Sequence, residues 1–118
     1  MGLPKSFNLF SGEGHHAGFM LLSPRSASEG DCVFMLSPFS ADGIDSRLGL
    51  VVSELKVGGE HRFEFAEVEG GFQMTLQPDG FPAVRFQFDE EYSGEIFTEF
   101  DGKEVGIGTA SPAKKSDA

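Results

Sequence analysis

The strongest constraint on this chain is the period-two alternation of apolar and polar residues between Val57 and Thr109, because a β-strand places successive side chains on opposite faces. Phe63 and Phe65 alternate with Arg62 and Glu64, and Phe72, Met74 and Leu76 with Gln73, Thr75 and Gln77. Val84, Phe86 and Phe88 alternate with Arg85, Gln87 and Asp89; Ile96, Thr98 and Phe100 follow, then Val105 and Ile107. Turn chemistry tests this pattern, since a one-residue slip moves a strand's whole apolar set to the wrong face. A two-residue turn at Glu69-Gly70 sets Phe65 opposite Met74 and Phe63 opposite Leu76. Pro78-Asp79-Gly80 predicts a type I turn with Gly80 left-handed, which brings Phe72 and Met74 opposite the Val84, Phe86 and Phe88 set. Asp101-Gly102 predicts a hairpin with Thr98 opposite Val105 and Ile96 opposite Ile107. All three turns agree on one buried face.

Upstream, Ser6–Phe10, Ala17–Leu22 and Cys32–Leu36 have the composition of short strands separated by Gly, Ser and Pro. The segment Asp45–Val57 supports two readings. Leu48, Val51, Val52 and Leu55 recur at helical spacing, with Asp45 placed to cap the start and Gly58-Gly59 to end it. Against that, Val51, Val52 and Val57 are stiff in helices, and a Gly58-Gly59-Glu60 turn sets Val57 opposite His61 and Leu55 opposite Phe63; this tips the expectation toward strand. The expected fold is therefore all-β, an antiparallel up-and-down meander forming a small barrel or strongly curved sheet. The alternative is α+β with one helix at about 45–57.

A chain of 118 residues with 13 Phe suits a single domain with one apolar core. Residues 1–109 are expected to form it, and 110–118 (ASPAKKSDA) a disordered tail. A single cysteine, Cys32, rules out an intrachain disulfide framework. With no basic stretch leading into an apolar run near the N-terminus, a cytoplasmic location is expected. The apolar stretch Ala17–Leu22 is far shorter than the ~20 residues of a membrane helix.

The formal net charge is −10, concentrated between Glu60 and Glu104, where twelve acids face three bases. Such a surface repels phosphates and anionic lipids, so direct nucleic-acid or membrane binding is not expected and a basic protein partner is.

Several patterns carry chemistry only on paper. Gly12-Glu13-Gly14-His15-His16-Ala17 spells a dinucleotide-type glycine motif, but the short apolar run after it, closed by Pro24, does not supply the helix such a loop needs. His15, His16 and His61 with Glu13 or Asp31 lack metal-ligand spacing, and neighbouring His15 and His16 diverge on a strand. Burial and Asp31 are expected to raise the Cys32 thiol pKa rather than activate it. No nucleophile elbow occurs, and the acids Asp89, Glu90 and Glu91 with Tyr92 fall in a hydrated loop. No cofactor, metal or catalytic residue is assigned.

Glu95, Glu99 and Asp101 alternate with Ile96, Thr98 and Phe100, so they line an outer face on which Phe97 also lies. An aromatic residue among acids matches the anchor-and-charge pattern of a binding surface. The expected function is a non-enzymatic protein-binding module of inhibitor or immunity-like type, engaging a basic partner through Glu95, Phe97, Glu99 and Asp101, with Asp89, Glu90 and Glu91. The alternatives are a small hydrophobic-ligand-binding barrel and a structural homodimer joined through sheet edges.

Overall fold

A computed structural model of the protein describes residues 4–37 and 46–113. Eight antiparallel strands follow one another around a closed barrel: β1 (Ser6–Ser11), β2 (His16–Pro24), β3 (Glu29–Leu36), β4 (His61–Val68), β5 (Gly71–Leu76), β6 (Val84–Phe88), β7 (Gly94–Phe100) and β8 (Lys103–Pro112). β8 pairs with β1, through contacts such as Leu9 with Ala110, and so closes the barrel; β3 and β4 pair only between Glu29–Cys32 and His61–Glu64. The β1–β8 pairing takes up the two outer strand edges that an open sheet would offer to an edge-to-edge dimer.

Most of the expected registers hold. Phe65 faces Met74, Phe63 faces Leu76, Phe72 faces Phe88 and Met74 faces Phe86. Gly70 and Gly80 have φ of 82° and 69°, and both central residues of the Asp101-Gly102 turn are left-handed, at 54° and 77°. That last pair is what a type I′ hairpin requires. Thr98 faces Val105 as expected, but Ile96 faces Gly108 rather than Ile107. A β-bulge between Ile96 and Phe97 causes the difference by inserting an extra residue, Ile107, into β8. A matching irregularity between Leu9 and Phe10 makes Ala17 the extra residue of β2.

The segment expected to be strand is instead helix α1 (Arg47–Val57), the alternative reading. Ser46 caps it, its hydroxyl accepting from the Gly49 amide at 2.9 Å; Asp45, the expected cap, lies outside the described residues. The Gly58 amide donates back to Leu55 at the other end, so the proposed Leu55–Phe63 and Val57–His61 pairings do not form. Tertiary packing outweighs the β preference of the valines, because Leu48, Val51, Val52 and Leu55 all enter the core on one helical stripe. His61 adds to the exit: its Nε2–H donates a second hydrogen bond to the Leu55 carbonyl at 2.7 Å, beside the one from the Gly58 amide. The residues expected to begin a disordered tail, Ala110 to Pro112, belong to β8; residues 114–118 lie outside the described residues.

Helix α1 lies between β3 and β4 in the chain and packs on β3, β2, β1 and β8, closing one end of the barrel. Two inward-register glycines make room for it. A Cβ at Gly108 would come within 2.7 Å of Leu48 Cδ2 and press on the Phe10 carbonyl; one at Gly18 would come within 3.2 Å of Val52 Cγ1 and press on the Met35 carbonyl. Between the ends, Phe7, Phe63, Phe86, Phe88, Met20, Met74 and Ile96 fill the interior, each no more than 2% exposed. Phe88 stacks on both Phe7 and Phe86, with centroids 5.2 and 5.8 Å away. At the opposite end, Phe65, Phe72 and Tyr92 stack nearly parallel across the mouth.

The seat of α1 yields a stability prediction. Gly18→Ala and Gly108→Ala should each lower unfolding free energy by about 1–3 kcal/mol, the usual cost of overpacking. Gly12→Ala, whose Cβ would meet nothing within 4 Å, should leave the urea midpoint nearly unchanged. Equal midpoints for all three would show that the helix does not depend on these glycines.

Candidate functional site

An apolar barrel interior directs the alternate residues of each strand outward, and the outer wall formed by β6, β7 and β8 is where the expected site lies. On β7, Glu95 and Glu99 are exposed and Phe97 stands between them, half-buried. Asp101 follows in the hairpin turn at the helix end of the barrel, whereas Asp89, Glu90 and Glu91 occupy the β6–β7 loop at the other end. The expected residues thus form one strip along the barrel, on the order of 20 Å from end to end for a strand of this length.

They are not equivalent. The Asp89 carboxylate accepts from the amides of Glu91 and Ser93, at 2.7 and 3.1 Å, and so shapes its own loop. Its role is structural, since both bonds hold the turn that places Tyr92 at a φ of 65°. Glu90 and Glu91 are left exposed by that turn. Beside Glu91 opens a shallow groove of about 600 Å³, lined by Asn8, Glu91, Ser93, Ser111 and Pro112.

Phe97 departs from the picture of a bare anchor. Its ring lies over Gly106, its cross-strand neighbour, where an added Cβ would meet it at 3.6 Å. Arg85, its partner on β6, covers it with a guanidinium 4.5 Å from the ring centroid. The same guanidinium binds Glu104 through two nitrogens, both at 2.9 Å, and donates to Gln87 at 2.7 Å. The hydrogen bonds between Arg85 and Glu104 raise the Arg85 pKa and lower that of Glu104. The ion pair also relieves the cross-strand apposition of Glu99 and Glu104, two like charges on neighbouring strands. Arg85 and Glu104 complete the site beyond what alternation singles out: the β6–β7 loop that sets Arg85 against Phe97 carries no defining turn signature, although the Asp101-Gly102 turn sets Glu104 opposite Glu99.

The histidines and the cysteine sit apart from this wall. His15 is exposed in the β1–β2 turn, and His16 faces outward between Ser37 Oγ at 2.8 Å and Asn8 Oδ1 at 3.0 Å, its pKa lowered by burial. Among the described residues no three His, Cys, Asp or Glu side chains gather around a common point. Cys32 is buried with its thiol pKa pushed up to about 12, first by burial and then by Asp31 and Glu60, as an unreactive thiol should be.

No helix among the described residues is long and apolar enough to cross a membrane. No protein-family model, curated protein or solved structure matches the chain.

The Arg85–Glu104 contact has a defined pH dependence. Because the Glu104 pKa is depressed, the pair is fully formed above the ordinary carboxylate range and is lost as pH falls through the lowered value. Arg85→Ala should bring the Glu104 pKa back up toward its ordinary value, as followed by carboxyl carbon chemical shifts. An unchanged Glu104 titration would show that the two side chains do not pair in solution.

Proposed function

We propose that the protein is a non-enzymatic binding module that engages a basic partner protein through the outer wall of β6–β8, acting as an inhibitor or immunity-like factor. One observation carries this reading. Among the described residues the ion pairs are Arg25–Asp31, Arg62–Glu29 and Arg85–Glu104, and none engages Glu90, Glu91, Glu95, Glu99 or Asp101. Glu95 and Glu99 on β7, with Glu90, Glu91 and Asp101 in the flanking loops, outnumber the Arg85 cation on this wall, and the self-repulsion that remains in the free protein is relieved by a cationic surface on binding. Pre-organisation adds to this, since β-strand positions need little further ordering to present their charges.

Phe97 and Arg85 divide the work in this reading. The acids steer a cationic surface toward the wall, and the ring offers a desolvated contact once the partner displaces or replaces the Arg85 guanidinium above it. The groove beside Glu91, lined by hydroxyl and amide groups, suits a single long basic side chain. A ligand carrier is the less supported reading, because the inward Phe side chains pack on one another.

The test is a set of association rates measured with the partner captured from native extract and identified, at low and high salt. Glu95→Lys with Glu99→Lys should slow association on the order of 10-fold at low salt, the effect shrinking as salt screens long-range attraction. Arg85→Ala should accelerate it, by removing the cation at the centre of the wall. Phe97→Ala should act on dissociation instead. A partner whose affinity ignores all of these substitutions and does not respond to salt would contradict the proposal.

A further inference from the structure

Strand β4 outruns one of its two neighbours. It pairs with β5 from Phe63 to Val68 but with β3 only from His61 to Glu64. One further bond, from the Phe65 amide to the Ser28 carbonyl at 2.7 Å, ends the contact. There the chain turns away into the β2–β3 hairpin and closes on itself: the Arg25 and Ser26 amides donate to the Glu29 carbonyl, and the Ser28 amide donates to Ser26 Oγ. Among the described residues, Ala66, Glu67 and Val68 therefore have a paired strand on one side alone.

The Phe65 bond fixes which main-chain groups are left over. Residues two apart on a strand point their N–H and C=O groups to the same side, so those of Glu67 point where the Phe65 amide does, away from β5. The neighbouring hairpin agrees, since its closing pair Val68–Gly71 turns the Val68 main chain toward β5. Among the described residues no hydrogen bond reaches the Glu67 amide or carbonyl. On the outer surface alongside, a groove of about 460 Å³ has Glu64, Ala66, Gln73 and Thr75 in its lining. Glu64 and Glu67 are exposed and belong to none of the three ion pairs.

We propose that this edge takes an extended basic segment of a partner protein, added as a short strand antiparallel to β4 and in line with β3. An unpaired strand edge is a template for such addition, and an antiparallel residue opposite Glu67 exchanges both main-chain bonds with it. The side chain of that residue faces the Glu67 carboxylate, which favours Lys or Arg there. Its two neighbours point to the outer surface, where one lies beside Ala66 and within reach of Glu64 in the groove, and the other beside Val68. Running against β4, the segment therefore reads as an apolar residue followed by two basic ones. Charge selects this occupant over a second copy of the chain, because two such edges would bring Glu67 against Glu67. The site rests on main-chain geometry and is independent of the β6–β8 reading. A purely basic peptide is drawn to that other wall, where Glu90, Glu91, Glu95, Glu99 and Asp101 offer more charge than Glu64 and Glu67.

The test is a titration of the isotopically labelled protein, at physiological salt, with the peptide acetyl-Thr-Val-Lys-Lys-Thr-amide. The Glu67 amide proton should move downfield and exchange more slowly with solvent. N-methylation of the first lysine, whose N–H faces the Glu67 carbonyl, should weaken binding about 10-fold, whereas N-methylation of the second, whose N–H faces away from β4, should not. Glu67→Pro removes the open N–H without breaking a bond to β5 and should weaken binding to a similar extent. Should that variant fail to fold, the two methylated peptides still decide the matter on the unaltered protein. The double reversal Glu95→Lys with Glu99→Lys should leave the affinity nearly unchanged, which separates this site from the β6–β8 wall. Equal binding of both methylated peptides, an unmoved Glu67 amide, or loss of binding in the β7 double variant would overturn the proposal. So would a Glu67 amide that responds to the protein's own concentration, the mark of a second copy at the edge.

Discussion

The packing of α1 against the backbone at Gly18 and Gly108 is the contact on which the rest of the molecule depends. An eight-stranded barrel has an interior just wide enough to be filled by side chains, but its ends remain open to water unless something covers them. Here the helix covers one end by lying where two inward-pointing side chains are missing, with Leu48 and Val52 in their place. The opposite mouth is covered by the stacked rings of Phe65, Phe72 and Tyr92, the last held left-handed by a loop that the Asp89 carboxylate ties together. With both ends covered and phenylalanines packed ring on ring between them, what the protein presents to other molecules is its outer wall.

That wall has two characters. Around β6–β8 the exposed carboxylates make a field that attracts cations and weakens as ionic strength rises. Around β1–β3 the outer face carries Phe19, Leu21, Val33 and Met35, with Glu29 and Asp31 bound to Arg62 and Arg25. The charged exterior with an apolar interior is also the reverse of a membrane-spanning barrel, whose outward band is apolar and whose lumen is polar.

Much of this architecture was legible in the sequence because it is encoded locally. Glu69-Gly70, Pro78-Asp79-Gly80 and Asp101-Gly102 fix neighbouring strands through backbone conformations that few residues adopt, and the Phe alternation agrees with them. The two bulges were not legible: no residue at Leu9-Phe10 or Ile96-Phe97 announces an insertion, and the second one turns Ile107 away from its expected partner. The helix runs against the local β preference of Val51, Val52 and Val57, because the space above Gly18 and Gly108 takes the helical stripe of Leu48 and Val52. At the candidate site, alternation placed Glu95, Phe97 and Glu99 on the outer wall, but the Arg85 cover over Phe97 required the β6–β7 register, and Asp89 proved to be spent on its own loop. The apolar rows of β1–β3 needed three registers together before Phe19, Leu21 and Met35 became neighbours.

The central claim, that recognition belongs to the outer walls of a filled barrel, is tested most directly by chemical-shift mapping of the isotopically labelled protein titrated with a short Lys/Arg-rich peptide at low salt. The account predicts that shifts concentrate at Glu90, Glu91, Glu95, Phe97 and Glu99, that they vanish at high salt, and that the signals of Phe63, Phe86 and Phe88 stay in place. Perturbation of those interior rings with a silent β7 would contradict it.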